Sequence, residues 1–246
     1  MRIGLIADIH GNLFALDAVL RELEREQLDE VLCLGDVAVG PQPGETLARL
    51  RDVGCPVVMG NWDAYFLCGF PAKEDELGQM LVEMGEWWAG QLSRADHDYI
   101  ESFDRSLERA ADGTRMVAFH GSPRSYEDFI FATTPDDELE QMLEGCHAPL
   151  LTGGHTHFAM VRRHQGVLLV NPGSVGLPFA DQRTHPMRIN PWAEYGIVEL
   201  EDGRLSVDLR RTSFDVEALL ALVRESGMPH AEWWASLWVT DRTQWL

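Results

Sequence analysis

Asp8 and His10 close an apolar run, Ile3 to Ala7, and stand two residues apart. On an extended chain such residues point the same way and lie roughly 6.5 to 7 Å apart, so both side chains can reach one cation. Taken alone, the triplet fits a solvated carboxylate beside a hydrogen-bonded loop histidine equally well. The pattern recurs, however: apolar runs also stop at Asp36, at Asn61 and Asp63, at His120, at His155 and His157, and at Asn171 with Ser174. Carboxylate, imidazole and amide donors in one set suit borderline divalent metals such as Mn, Fe, Co or Zn rather than calcium. No thiolate stands in these motifs to favour a structural zinc site. The candidate ligands Asp8, His10, Asp36, Asn61, His120, His155 and His157 are too many for one ion.

Those residues need a scaffold that brings distant positions to one edge. After Asn12, a candidate N-cap, Leu13, Leu16, Leu20 and Leu23 recur at helical spacing with charge between them. Short strands are expected at 31–34 and 55–59, with a helix over 44–53 between them. Such alternation with short links predicts a parallel sheet covered by helices. From about Phe70 to Asp112 the chain carries charge and helical periodicity but no strand, and reads as a helical excursion that either caps the site or packs on the sheet. Strands at 116–119 and 149–152 flank a helix at 135–143, and Arg163-His164-Gln165-Gly166 marks a hairpin between 160–163 and 167–170. Alternating runs at 195–200 and 205–209, joined at Asp202-Gly203, predict a second hairpin with one wet face. A helix at 215–225 precedes a tail with four tryptophans, Trp233, Trp234, Trp238 and Trp245. In open α/β sheets, sites form at the carboxyl edge of the strands, where these polar residues fall.

The 246 residues, 45% of them hydrophobic, are enough to bury a substantial core. A formal net charge of −20 disfavours a nucleic-acid polymer as the main partner, unless bound cations reverse the field locally. Cys33, Cys55, Cys68 and Cys146 show no CxxC spacing, which suits a reducing compartment. No basic-then-apolar leader precedes the first strand and no apolar run is long enough for a membrane span, so a soluble cytoplasmic protein is expected.

In that order, Asp8-x-His10, Gly35-Asp36, Gly60-Asn61-x-Asp63, His120 and Gly154-His155-x-His157 resemble the motif set of the calcineurin-like metallophosphoesterases. The resemblance is strongest to the small bacterial and archaeal members and covers about residues 1 to 210. It implies an α/β fold, a four-layer α/β/β/α sandwich with two mixed sheets, and two divalent metal ions drawn from Mn, Fe, Zn or Co. It also implies one metal on Asp8, His10, Asp36 and His157 and another on Asp36, Asn61, His120 and His155, with Asp36 bridging. Asn61, Asp63 and His120 are then expected among the catalytic residues. A shared carboxylate suits two dications about 3.5 to 4 Å apart, whose charge acidifies a bridging water; the hydroxide would attack a phosphodiester or phosphomonoester in line.

One position departs from the pattern. Many members carry a His after the Gly-Asn pair; here it is Trp62. The expectation is a substrate with a good leaving group, or a proton donor from elsewhere, with His185 in the 179–192 loop the first candidate. Asn171-Pro172-Gly173-Ser174 reads either as a tight turn or as an amide cradle for phosphate. Arg124, Arg162 and Arg183 are either substrate contacts or ordinary surface arginines. The expected organisation is a domain over 1–212 with the insertion at about 70–112, then a helical, Trp-rich extension at 213–246. That extension packs on the body or forms a homodimer contact. The expected partner is a small phosphate ester, with no membrane. The alternatives are a non-catalytic metal-binding scaffold of the same fold and a hydrolase of dinucleoside polyphosphates or protein phosphates; a scaffold has no reason to retain every ligand.

Overall fold

The computed structural model describes residues 1–111, 113–181, 187–201 and 203–240. The first apolar run is β1 (Arg2–Ile6), followed by α1 (Leu13–Leu23), whose N-cap Asn12 accepts the Ala15 N–H at 3.0 Å. Then come β2 (Glu30–Cys33) and the helices α2 (Pro43–Val53), α3 (Asn61–Cys68), α4 (Glu76–Ala89) and α5 (Arg94–Glu101). The chain continues through β3 (Leu107–Ala111), β4 (Thr114–Ala118), α6 (Asp136–Met142), β5 (Leu150–Thr152), β6 (Met160–His164) and β7 (Val167–Asn171). It closes with β8 (Ala193–Glu201), β9 (Arg204–Thr212), α7 (Val216–Glu225) and α8 (Ala231–Ser236).

Two mixed sheets result, in the orders β2-β1-β8-β9 and β3-β4-β5-β7-β6. In the first, β1 runs parallel to β2 and antiparallel to β8; in the second, β4, β5 and β7 are parallel and the outer strands antiparallel. The central strands read as unbroken apolar runs because both of their faces are buried. Alternate residues divide between two cores: Ile3, Leu5 and Ala7 meet Met116, Ala118, Leu150, Leu168 and Val170 between the sheets. Ile6, Cys33, Tyr195 and Ile197 face the opposite way, onto Leu16, Leu20, Leu50, Met84, Leu219 and Leu220 of the covering helices. Val117, Phe119, Leu151 and Leu169 pack against Leu139 on the far side. The layers are therefore α/β/β/α, as the motif resemblance implies.

Three expectations need correction. The segment 55–59 is not a strand but a pair of single bridges, Val57 to Cys33 and Val58 to Asp104, because Pro56 offers no N–H and the chain turns into α3 at Asn61. The segment 70–112 does contain a strand, β3, which pairs antiparallel with β4 at the sheet edge. Charge disguises its alternation: Glu108 pairs with Arg115, and Arg109 reaches across to Glu30 at 2.5 Å. The predicted hairpins are present, but β8 is buried on both faces because it lies inside the sheet between β1 and β9, and the wet face belongs to β9 alone; Gln165 and Gly166, both at positive φ, make the two-residue turn between β6 and β7. The described part of the Trp-rich tail packs on the body, with Trp234 and Trp238 in the same core as α1 and α2. Among the described residues no helix is long and apolar enough to cross a membrane.

Candidate metal centre

The carboxyl ends of β1, β2, β4, β5 and β7 converge on one pole, and each delivers polar side chains there. Asp8, His10 and His157 form one group of potential ligand atoms within 4.8 Å of one another; Asp36, His120 and His155 form a second. Asp36 stands between them, its Oδ2 lying 3.4 Å from His120 Nε2 and 3.8 Å from His10 Nε2. Asn61 joins the second group, with Oδ1 3.1 Å from His120 Nε2. His157 Nε2 lies 3.4 Å from Asp8 Oδ1 and 3.0 Å from His10 Nε2.

Each imidazole is aimed by a backbone carbonyl. His120 Nδ1 donates to Leu34 and His157 Nδ1 to Leu177, both at 2.7 Å, while the Val39 and Glu127 carbonyls hold His10 and His155. One ring nitrogen is thus fixed and the other offered to the site, the usual support for a metal-ligating histidine. Phe179 stacks on His157 at 4.3 Å and Phe129 lies 4.2 Å from His155, limiting ring rotation further.

These residues fit a pair of cations better than they fit one another. Burial pulls His10 and His155 down to about 4, and His157 well below its usual range, so all three are neutral ligands near pH 7. His120 is the exception: burial opposes its charge, yet Asp36 holds it up to about 9, placing a proton where a cation would compete. His155 Nε2 is buried with no hydrogen-bond partner among the described residues. Five of the seven non-glycine residues described at positive φ are Asp8, His10, Asp36, His155 and His157, at +53°, +50°, +54°, +68° and +60°. Such backbone costs about 1–3 kcal/mol per residue and concentrates where function over-determines the geometry.

Asp63 is differently placed from the expectation that grouped it with catalytic residues. It is fully buried, and its oxygens accept the N–H groups of Asp36 at 2.7 Å, Val37 at 3.0 Å and Gly60 at 3.1 Å. It positions the loop that carries Asp36. Asn171 and Ser174 work the same way: Asn171 donates to the Gly154 carbonyl at 2.7 Å and Ser174 to the Asp8 carbonyl at 2.7 Å. The tight-turn reading therefore accounts for that segment. Arg124 is committed to the Gln141 carbonyl of α6, and Arg162 to the loop carbonyls of Phe131 and Thr134. His185 and Arg183 lie outside the described residues.

Sequence reasoning missed the walls around this pole. A cavity of about 450 Å³ opens onto His10, Asp36, His155 and His157 and is otherwise faced mainly by aromatic and aliphatic side chains from α3, α4, the loops after β4, β5 and β7, and the C-terminal segment. A second cavity, about 290 Å³, meets it across Asn61, Trp62, Leu81, Phe129 and His155 and adds Lys73, Glu127 and Tyr65, whose hydroxyl donates to Glu127. Helix α4 thus does both jobs foreseen for the insertion, burying Met84 and Trp88 in the core while lining the cavity. The only sequence signal was the density of aromatics in loops, which gives no partner for any of them.

A family model described as the calcineurin-like phosphoesterase superfamily domain matches residues 1–191. Over 251 residues the chain is 26% identical to an uncharacterised protein of Methanocaldococcus jannaschii, covering 94% of each. It is similar to the crystal structure of a metallophosphoesterase from Sphaerobacter thermophilus, with 27% identity, 94% and 96% of the two chains covered, and a TM-score of 0.71. A hypothetical protein from Pyrococcus horikoshii shares the fold at a TM-score of 0.78, with 19% identity over 93% and 94% of the chains. With its strand-end ligands in the expected order and its matched region spanning most of its length, the chain belongs to the calcineurin-like phosphoesterase superfamily.

Proposed function

We propose that this protein is a phosphoesterase working with two divalent cations, one held by Asp8, His10, Asp36 and His157, the other by Asp36, Asn61, His120 and His155. The observation that carries the reading is the pair of ligand groups meeting across Asp36 Oδ2. Bound there, two cations supply Lewis acidity and acidify a water toward neutrality. The protein's own residues do the rest. Asp36 keeps its orientation because its Oδ1 accepts the Trp62 N–H at 2.9 Å while Asp63 fixes the loop beneath it. The carbonyl-locked histidines need no rearrangement when substrate enters.

Two cavities meeting at one pole offer room for two ester groups, one on each side of a phosphorus, and this favours a phosphodiester over a monoester. After Asn61 the chain offers an indole, which can donate a hydrogen bond but does not give up its proton. Substrates with good leaving groups are therefore favoured. The test is manganese-dependent hydrolysis of an activated aryl phosphodiester beside the matching monoester, by protein stripped of metal and reconstituted. Metal-dependent turnover with the diester faster is expected; two bound metals with no turnover of either ester overturns the reading.

A further inference from the structure

The larger cavity has walls that phosphate chemistry does not require. Trp62 and Leu81 face it from one side, Phe158 and Phe179 from another, and Trp233 and Leu237 from the C-terminal segment. These last two lie beyond residue 191, where the family match ends, so a segment outside the matched region completes the wall. No Lys or Arg stands among its described lining residues, so further phosphate groups entering it would meet no positive side chain. Water facing carbon on most sides makes few hydrogen bonds, and displacing it with an apolar group is favourable. About 450 Å³ lies within the range that encloses a drug-sized organic group. The same cavity reaches His10, Asp36, His155 and His157, so a group seated there would be attached directly to the phosphorus undergoing attack.

We infer that this cavity seats the larger organic group of the substrate and that this group is apolar, an aryl or comparable ring system carried on a single phosphate. The inference rests on the phosphoesterase reading and names its substrate class: a hydrophobic phosphate ester, in contrast to a polyphosphate or a sugar phosphate. The smaller cavity, with Tyr65, Lys73 and Glu127, takes the more polar partner.

Two measurements test it. In the first, calorimetry on the zinc-loaded protein compares a non-hydrolysable naphthylmethylphosphonate with methylphosphonate. Burying a ring system in an apolar site predicts that the aryl ligand binds roughly thirtyfold tighter or more. Leu81→Ala and Trp233→Ala should shrink that preference to a few-fold, and Trp233→Phe should keep most of it, which separates loss of the wall from loss of the fold. In the second, kcat/KM is compared for p-nitrophenyl naphthyl and p-nitrophenyl methyl phosphodiesters, which share one leaving group; the naphthyl ester should lead by a similar factor. Equal affinity and equal kcat/KM across each pair would overturn the inference. An aryl preference in binding, with neither ester hydrolysed, would keep the apolar site and overturn the hydrolytic reading instead.

Discussion

Asp36 divides its two oxygens between tasks: Oδ1 takes the backbone N–H of Trp62, and Oδ2 lies between His10 of one ligand group and His120 of the other. Asp36→Asn removes the charge shared by both groups. The expected outcome is loss of both cations, read by elemental analysis after gel filtration, with turnover down by several orders of magnitude. Retention of two cations and full activity would contradict the bridging role. Asp63→Asn acts through the backbone: one buried N–H of the Asp36 loop loses its acceptor, which costs about 1–3 kcal/mol in urea unfolding. The histidines contribute to the pH response of the metal-free protein, beside Asp63, whose carboxyl is pushed up to about 6 by burial. His120, held up to about 9, contributes stability present below its unfolded value near 6.5 and lost as pH rises through 9. His10 and His155, pulled down to about 4, contribute stability that is lost as pH falls from 6.5 through 4. Melting temperatures of chelated protein should therefore peak near pH 6.5 as far as these residues decide it. Cation binding must displace the His120 proton, so calorimetry at pH 7.5 in buffers of different ionisation enthalpy should detect proton release on loading.

The elements that carry these residues are held by close backbone contact, and two glycines show how close. A Cβ on Gly40, whose φ is +153°, would stand 1.7 Å from the His10 carbonyl oxygen, and one on Gly176 would stand 1.9 Å from that of Ile9. Gly40→Ala is expected to cost about 3 kcal/mol or more and to disorganise the His10 loop. Gly54→Ala, at the C-cap of α2 with nothing within 4 Å, should cost about 1 kcal/mol, the left-handed backbone penalty alone. Thermal melts of the two variants side by side test the contrast. This layer of the structure was only partly legible in the sequence. The ligand positions could be read because each is a distinctive residue type at the end of an apolar run, and periodicity located the central strands and α1 well. The strand β3 was hidden because its edge position lets charges replace the apolar alternation, and 55–59 was over-read because apolar residues alone do not supply a ladder partner. Asp63 reads as a chemical group because its carboxylate stands two residues from Asn61 in the chain, whereas two of its three backbone bonds depend on a loop 26 and 27 residues away. The cavity walls, from Trp62 to Leu237, show in the sequence only as aromatic density, since tertiary packing alone makes them neighbours.

At the scale of the molecule, the C-terminal segment decides whether the body and the cavity exist together. Trp234 and Trp238 are 4% and 2% exposed and share one core with Met84, Trp88 and Ile189. The tail is also stitched on by backbone bonds, from Ile189 N–H to the Leu237 carbonyl at 2.9 Å and from Val239 N–H to the Ile189 carbonyl at 2.8 Å. A buried Trp removes about 150–250 Å² from water, so at about 25 cal/mol per Å² the two together contribute up to roughly 8–12 kcal/mol. That rivals the entire net stability of a typical domain, about 5–15 kcal/mol. Deleting 230–246 should therefore abolish cooperative unfolding and near-ultraviolet dichroism, whereas Trp233→Ala, on the cavity side and only partly buried, should leave both in place. A deletion variant that unfolds cooperatively and still loads two cations would show that the segment 1–229 completes its own core, and the wall at Trp233 and Leu237 would then be an attachment to a finished fold instead of a part of it.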